Sequence, residues 1–222
     1  MKNGFLTLML IFLCTFSFSQ NVLFYDNFNN TGYTWVPSSN TYVYSGGNKL
    51  YVAWNEEPST PNGSVLCPIE LNQNSDFTIE TSMTLKEGVI GNGIVWNYKS
   101  KDEFYRFLIT DRDGQYVVNH YKNGDAGSLV SWTTTSSINQ KFARNKLEIK
   151  KQGNKTSFYI NGVFVNSVDN IDYNGSRLGV YLGAVKGCKM EVEYFKITTG
   201  NTTYNLKTSS SIGKDYPARP SL

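Results

Sequence analysis

The sequence predicts an all-β fold in which two antiparallel sheets pack face to face. Three observations carry that prediction. After Gln20 no apolar repeat of 3.6 residues persists for three turns, so amphipathic helices are not expected. Short runs rich in Val, Ile, Tyr, Phe and Thr instead recur about every 8 to 12 residues, separated by Gly, Asn and Asp. Thirteen such runs exceed what one open sheet comfortably holds, so they must divide between two sheets.

In chain order the strands are expected at Val22 to Phe28, Lys49 to Ala53, Ser64 to Leu71, Phe77 to Leu85, Gly93 to Tyr98, Phe104 to Thr110 and Gln115 to Tyr121. They continue at Leu129 to Thr134, Asn145 to Lys151, Lys155 to Ile160, Val163 to Val168, Arg177 to Leu182 and Lys189 to Thr198. Three turns fix register: Asp111-Arg112-Asp113-Gly114, Gln152-Gly153-Asn154, and Asn161-Gly162, a dipeptide that tolerates the positive φ of a two-residue hairpin.

The first of these turns sets two faces. If it pairs Thr110 with Gln115, then Ile109 faces Tyr116, Phe107 faces Val118 and Tyr105 faces His120, and this largely apolar side belongs to the core. The opposite side carries Arg106, Leu108, Gln115, Val117, Asn119 and Tyr121, a mixed surface suited to binding. Trp96 joins it opposite Arg106 if the loop before Phe104 has five residues, and turns to the core if the loop has four. Trp132 is either a rim platform or a core anchor.

The chain ends read differently. Lys2 precedes an apolar stretch from Phe5 to Phe18, about 14 residues against the roughly 20 of a membrane-spanning helix, closing on Ser17-Phe18-Ser19. Residues 1–19 are therefore expected to be a cleaved signal peptide, residues 20–199 one domain, and residues 200–222 a polar tail. The expected location is secreted or periplasmic, with no membrane span. Lys and Arg total 21 against 18 acidic residues, interspersed, so no basic stripe matches a phosphate backbone and nucleic acid is not an expected partner. Beyond the leader two cysteines remain, Cys67 and Cys188. Export permits them to pair, closing a loop of about 120 residues, and two separately buried thiols are the alternative.

Asp76-Phe77-Thr78-Ile79-Glu80, Gly93-Ile94-Val95-Trp96, Tyr105-Arg106-Phe107 and Gly114-Gln115-Tyr116 together form a familiar pattern. It continues in Asn145-Lys146-Leu147-Glu148-Ile149, in Phe158-Tyr159-Ile160-Asn161-Gly162 and in Glu193-Tyr194-Phe195, after an opening Asp26-Asn27-Phe28. Over residues 22–198 the chain resembles the concanavalin A-like lectin/glucanase superfamily, and more narrowly its laminin-G-like and keto-disaccharide-hydrolase-like jelly rolls. The resemblance implies a jelly-roll sandwich that binds through its concave sheet. It also implies a structural calcium ion near the chain ends, for which Asp26 is the one matching position and a turn-capping carboxylate the alternative. No other cofactor is expected.

Catalytic patterns are sparse. Retaining glycosidases need two carboxyl groups about 5 Å apart, which the superfamily supplies at i, i+2 and i+4 on one strand. Glu191 and Glu193 are the nearest approach, but Phe195 holds the next position, and Asp76 and Glu80 are too far apart along their strand. His120 is the only histidine and lacks the preceding Gln of the Gln-x-His lyase signature. Gly91-Asn92-Gly93 precedes a strand, so it is a turn and not a phosphate cradle.

The expectation is a non-catalytic module for a glycan or cell-surface partner. Its ligand-binding residues are Trp96, Arg106, Asn119, Tyr121 and Gln115. A glycan-cleaving enzyme of the keto-disaccharide-hydrolase-like type and a structural envelope protein without a small ligand are the alternatives.

Overall fold

The computed structural model describes residues 21–38, 41–54, 57, 63–88, 91–183 and 185–200. The expected signal peptide and the tail beyond residue 200 lie outside them. The described residues form β1 (Asn21–Asp26), β2 (Val36–Pro37), β3 (Tyr42–Gly46), β4 (Lys49–Ala53), β5 (Ser64–Leu66), β6 (Phe77–Glu87), β7 (Asn92–Ser100) and β8 (Glu103–Thr110). They continue as β9 (Gln115–Lys122), β10 (Asp125–Thr134), β11 (Asn145–Gln152), β12 (Lys155–Ile160), β13 (Val163–Asp169), β14 (Arg177–Leu182) and β15 (Lys189–Thr199).

Two antiparallel sheets result. The eight-stranded sheet runs β13-β12-β11-β6-β15-β4-β3, with β1 completing it beside the far half of β15. The seven-stranded sheet runs β10-β9-β8-β7-β14-β5-β2. Among the described residues no helix is long and apolar enough to cross a membrane. Thirteen strands overlap the runs the residue pattern predicts, although β5 ends at Leu66 where the pattern runs to Leu71, and β2 and β3 are additional.

Turn chemistry explains the hairpins. Asn161 (φ 52°) and Gly162 (φ 83°) are both left-handed between β12 and β13, as two-residue hairpins require. The same device recurs at Asn123 (φ 56°) and Gly124 (φ 86°), where Lys122 pairs with Asp125. Strand β10 therefore starts at Asp125, four residues before the expected Leu129.

Alternation buries one side of each sheet. Trp96, Phe107 and Phe158 meet at the centre, with Phe158 centroids 5.7 Å from Trp96 and 5.1 Å from Phe107. Near the chain ends Phe28, Trp35 and Phe195 form a second buried knot. Such aromatic pairs contribute about 0.5 to 1.5 kcal/mol each beyond their buried area.

Two bulges change what the residue pattern implies. Strand β7 is longer than expected: Ser100 pairs with Glu103, while Trp96 pairs with Tyr105, so three residues of β7 oppose only Phe104. Asn97 absorbs the excess at φ 49°, where its side chain bonds Gly175 N and the Asp172 carbonyl and its N–H donates to Gln73 Oε1. Trp96 thereby points inward. In β15 a bulge between Val192 and Tyr194 breaks the alternation, so Val192 and Phe195 both face the core. The face shared by Glu191, Glu193 and Phe195 in simple alternation does not exist.

Cys67 and Cys188 are both buried, and the structure holds them as thiols with no disulfide between them. Burial pushes the Cys67 thiol up to about 12, outweighing its hydrogen bond to the Ile69 carbonyl.

Candidate functional site

The two outer faces of the sandwich differ in kind. On the eight-stranded sheet, Glu148, Glu80 and Lys196 line up across β11, β6 and β15, beside Lys150, Thr78 and Thr198, around a half-open hollow of about 170 Å³. Burial tends to raise Glu80, but Lys146 and Tyr194 outweigh it and hold this carboxyl below its ordinary value. Glu148 is raised, chiefly by burial, with Lys146 opposing. Glu191 pairs with Lys49, and Glu193 accepts from Ser82 and Arg144. Asp76 caps the turn at Gly153. These carboxylates are engaged within a polar, ion-paired surface.

The outer face of the seven-stranded sheet is apolar and aromatic. Strands β8 and β9 adopt the expected register, Thr110 with Gln115, Phe107 with Val118 and Tyr105 with His120. The opposite side chains then lie outward, and an aromatic ladder crosses three strands: Tyr98 stacks on Phe104 at 5.6 Å, and Phe104 on Tyr121 at 4.9 Å. Leu66, Val95, Leu108, Val117 and Tyr181 complete the cluster, all buried although they face away from the core.

Arg106 lies within this face, only 8% exposed. Its guanidinium carbon sits 4.7 Å from the Tyr121 centroid and 4.6 Å from that of Tyr181, so cation–π contact replaces part of its hydration. Nε donates to Asn119 Oδ1 at 2.9 Å and Nη1 to the Tyr181 hydroxyl at 2.6 Å. Arg106 forms no ion pair among the described residues. Of its five N–H donors, three, including both on Nη2, have no protein acceptor there.

Trp132 borders the same face. Val130 pairs with Val118 and Thr133 with Tyr116, so Ser131 and Trp132 together oppose the single residue Val117. Such a bulge re-aims a side chain. Here it swings the indole toward Leu108 and Gly91; a Cβ on Gly91 would lie 3.3 Å from Leu108 Cδ1 and 3.6 Å from Trp132 Cη2. The indole is 47% exposed, whereas Trp35, Trp54 and Trp96 are 4% exposed or less. Leu108 and Arg106 are two residues apart on one strand face, about 7 Å.

Of the residues expected to bind, Arg106, Asn119 and Tyr121 come together, and Gln115 lies at the end of the same face, 3.5 Å from Thr134 Oγ1. Trp96 does not join them, because the β7 bulge turns it into the core. Trp132 is the outward tryptophan, and the bulge that aims it leaves no mark in the local sequence. His120 packs over Gly127 and against Tyr105, at the edge of the core face. Asp26 is buried and its carboxylate accepts three hydrogen bonds, from Phe28 N (2.7 Å), Thr31 Oγ1 (2.8 Å) and Trp35 Nε1 (2.8 Å), the capping role. Among the described residues no cluster of three His, Cys, Asp or Glu side chains is arranged to hold a metal ion.

No family model and no curated protein matches the chain. Its architecture does match solved structures. The carbohydrate-binding module CBM66 from Bacillus subtilis superposes with a TM-score of 0.58 at 14% identity, over 74% of this chain and 95% of that one. An endo-beta-1,3-glucanase from Pyrococcus furiosus gives 0.57 at 12% identity, over 83% and 96%. A Bacillus licheniformis beta-glucanase gives 0.54 at 14% identity, over 78% and 96%. The chain has the concanavalin A-like jelly-roll fold.

Proposed function

We propose that this chain is a glycan-binding module and that the outer face of the seven-stranded sheet is its binding surface. One observation carries the reading: an exposed tryptophan, Trp132, borders a buried, incompletely bonded arginine on a largely apolar face. A sugar ring offers an apolar face edged with hydroxyls. The exposed Trp132, packed over Leu108 and Gly91, offers it a stacking platform, while Arg106, the Asn119 amide and the Tyr121 hydroxyl offer polar partners to the edge. Similarity to a carbohydrate-binding module and to two glucanases supports a glycan as the ligand class.

Binding without cleavage is favoured because, among the described residues, the side chains named on this face include no carboxylate, whereas glycoside hydrolysis ordinarily uses a pair of them. With a leader that exports it, the module would meet its glycan outside the cytoplasm, free or on a cell surface. Affinity electrophoresis through gels cast with plant, algal and host polysaccharides tests the reading. At least one polysaccharide should retard the protein, and Trp132→Ala should abolish that retardation while leaving the urea unfolding midpoint unchanged. Free migration through every gel would contradict it.

A further inference from the structure

Arg106 requires more explanation than a neutral sugar provides. A cation removed from water is costly unless it is paired, and a buried arginine is ordinarily met by a carboxylate. Here the described residues supply only neutral partners: Asn119 Oδ1, the Tyr181 hydroxyl and the faces of Phe104, Tyr121 and Tyr181. These fix the guanidinium, since Nε and one Nη1 hydrogen are bonded and two tyrosine rings lie within 4.7 Å of its centre. They leave three donors unspent, enough for a two-pronged bond to a planar anion.

We infer that the glycan bound by this face is acidic, and that Arg106 receives the carboxylate of a sugar acid. The inference rests on the proposed glycan-binding role of the same face. The neighbouring polar groups fit that assignment. Asn119 spends its carbonyl oxygen on Arg106 Nε, so the amide group it keeps can only donate, and Tyr121, whose ring lies over the guanidinium, carries a hydroxyl that can donate as well. All three can donate hydrogens, and among the described residues no group bonded to or stacked on Arg106 is acidic. Trp132 lies about one residue pair further along β8, a spacing that lets a sugar ring stack there while its own or its neighbour's carboxylate reaches Arg106.

The test pairs acidic oligosaccharides with their carboxyl-reduced counterparts, which keep the ring and lose the charge: oligogalacturonate, oligoalginate, hyaluronan fragments and sialyllactose, with sulfated heparin fragments as a separate arm. Titration calorimetry on the full chain should find at least one acidic ligand whose reduced form binds about 10- to 100-fold more weakly, the worth of a charge-assisted hydrogen bond. Arg106→Gln should bring the acidic ligand down to the level of its reduced form. Trp132→Ala should weaken both forms alike. Because Arg106 is buried, its variant has to be shown to fold by circular dichroism; if it does not, the parent and reduced pair on the unaltered protein decides alone. Equal affinity for both members of every pair, or binding confined to neutral glycans, overturns the inference and leaves the glycan reading standing. Binding of sulfated fragments alone overturns the carboxylate assignment. Binding of nothing overturns both.

Discussion

Removing the Asp26 carboxylate should loosen the segment that closes the sandwich near the chain ends. In Asp26→Ala, the Phe28 backbone N–H and the Trp35 indole N–H lose the oxygen they donate to, and both residues are buried, 2% and 4% exposed. Each buried donor stripped of an acceptor costs about 1 to 3 kcal/mol, and the exposed Thr31 hydroxyl adds little, so the loss should be about 2 to 6 kcal/mol. The connection is also strained: Phe28 and Asn30 hold φ of 60° and 53°, a region a bulky side chain enters only when its surroundings force it. Against a typical total of about 5 to 15 kcal/mol, this is a large fraction. Urea unfolding followed by tryptophan fluorescence reads the loss as a lower midpoint, and Asp26→Asn, which keeps one carbonyl oxygen, should fall between the variant and the parent. A loss under about 0.5 kcal/mol, the range of an ordinary surface substitution, would refute the reasoning.

Two further outcomes follow from burial and charge. Cys67 and Cys188 should react with a thiol reagent at pH 8 only after the protein is unfolded in urea, because both are buried and the Cys67 thiol stays protonated; rapid labelling of the native chain would contradict this. Glu148 holds its proton more tightly in the folded chain than in the unfolded one, so its ionisation costs stability at neutral pH. Glu148→Gln should therefore raise stability at pH 7, by under about 1 kcal/mol because solvent screens the site. The gain should shrink as pH falls through the raised value and vanish below the ordinary 4.5; urea midpoints at pH 7 and pH 4 that move together would contradict the assignment.

Strands and hairpins were legible because their signals are local. Alternation and the turn at Asp111 to Gly114 set the β8–β9 register residue by residue, and with it the outward position of Arg106, Asn119 and Tyr121. Asn123-Gly124 carried the same hairpin signal as Asn161-Gly162, and the start of β10 was readable from it. What escaped the sequence is the work of bulges. At Asn97 the extra residues are held by Gln73, Asp172 and Gly175, distant partners that no local pattern announces, and they decide that Trp96 points inward. The bulge before Thr133 in turn decides that Trp132 points outward. Strand β2 is only two residues long and includes Pro37, and β3 carries the small residues Ser45 and Gly46, so neither shows a clear apolar alternation.

The central claim is that ligand lands on the outer face of the seven-stranded sheet. The chain has four tryptophans, and three are buried. In a nitrogen–proton correlation spectrum of the labelled protein, titration with a retained oligosaccharide should move the Trp132 indole signal and the Arg106 Nε signal, while the indole signals of Trp35 and Trp54 stay in place. Shifts confined to Tyr194, Glu80 and their neighbours on the eight-stranded sheet, with Trp132 and Arg106 unmoved, would contradict the account.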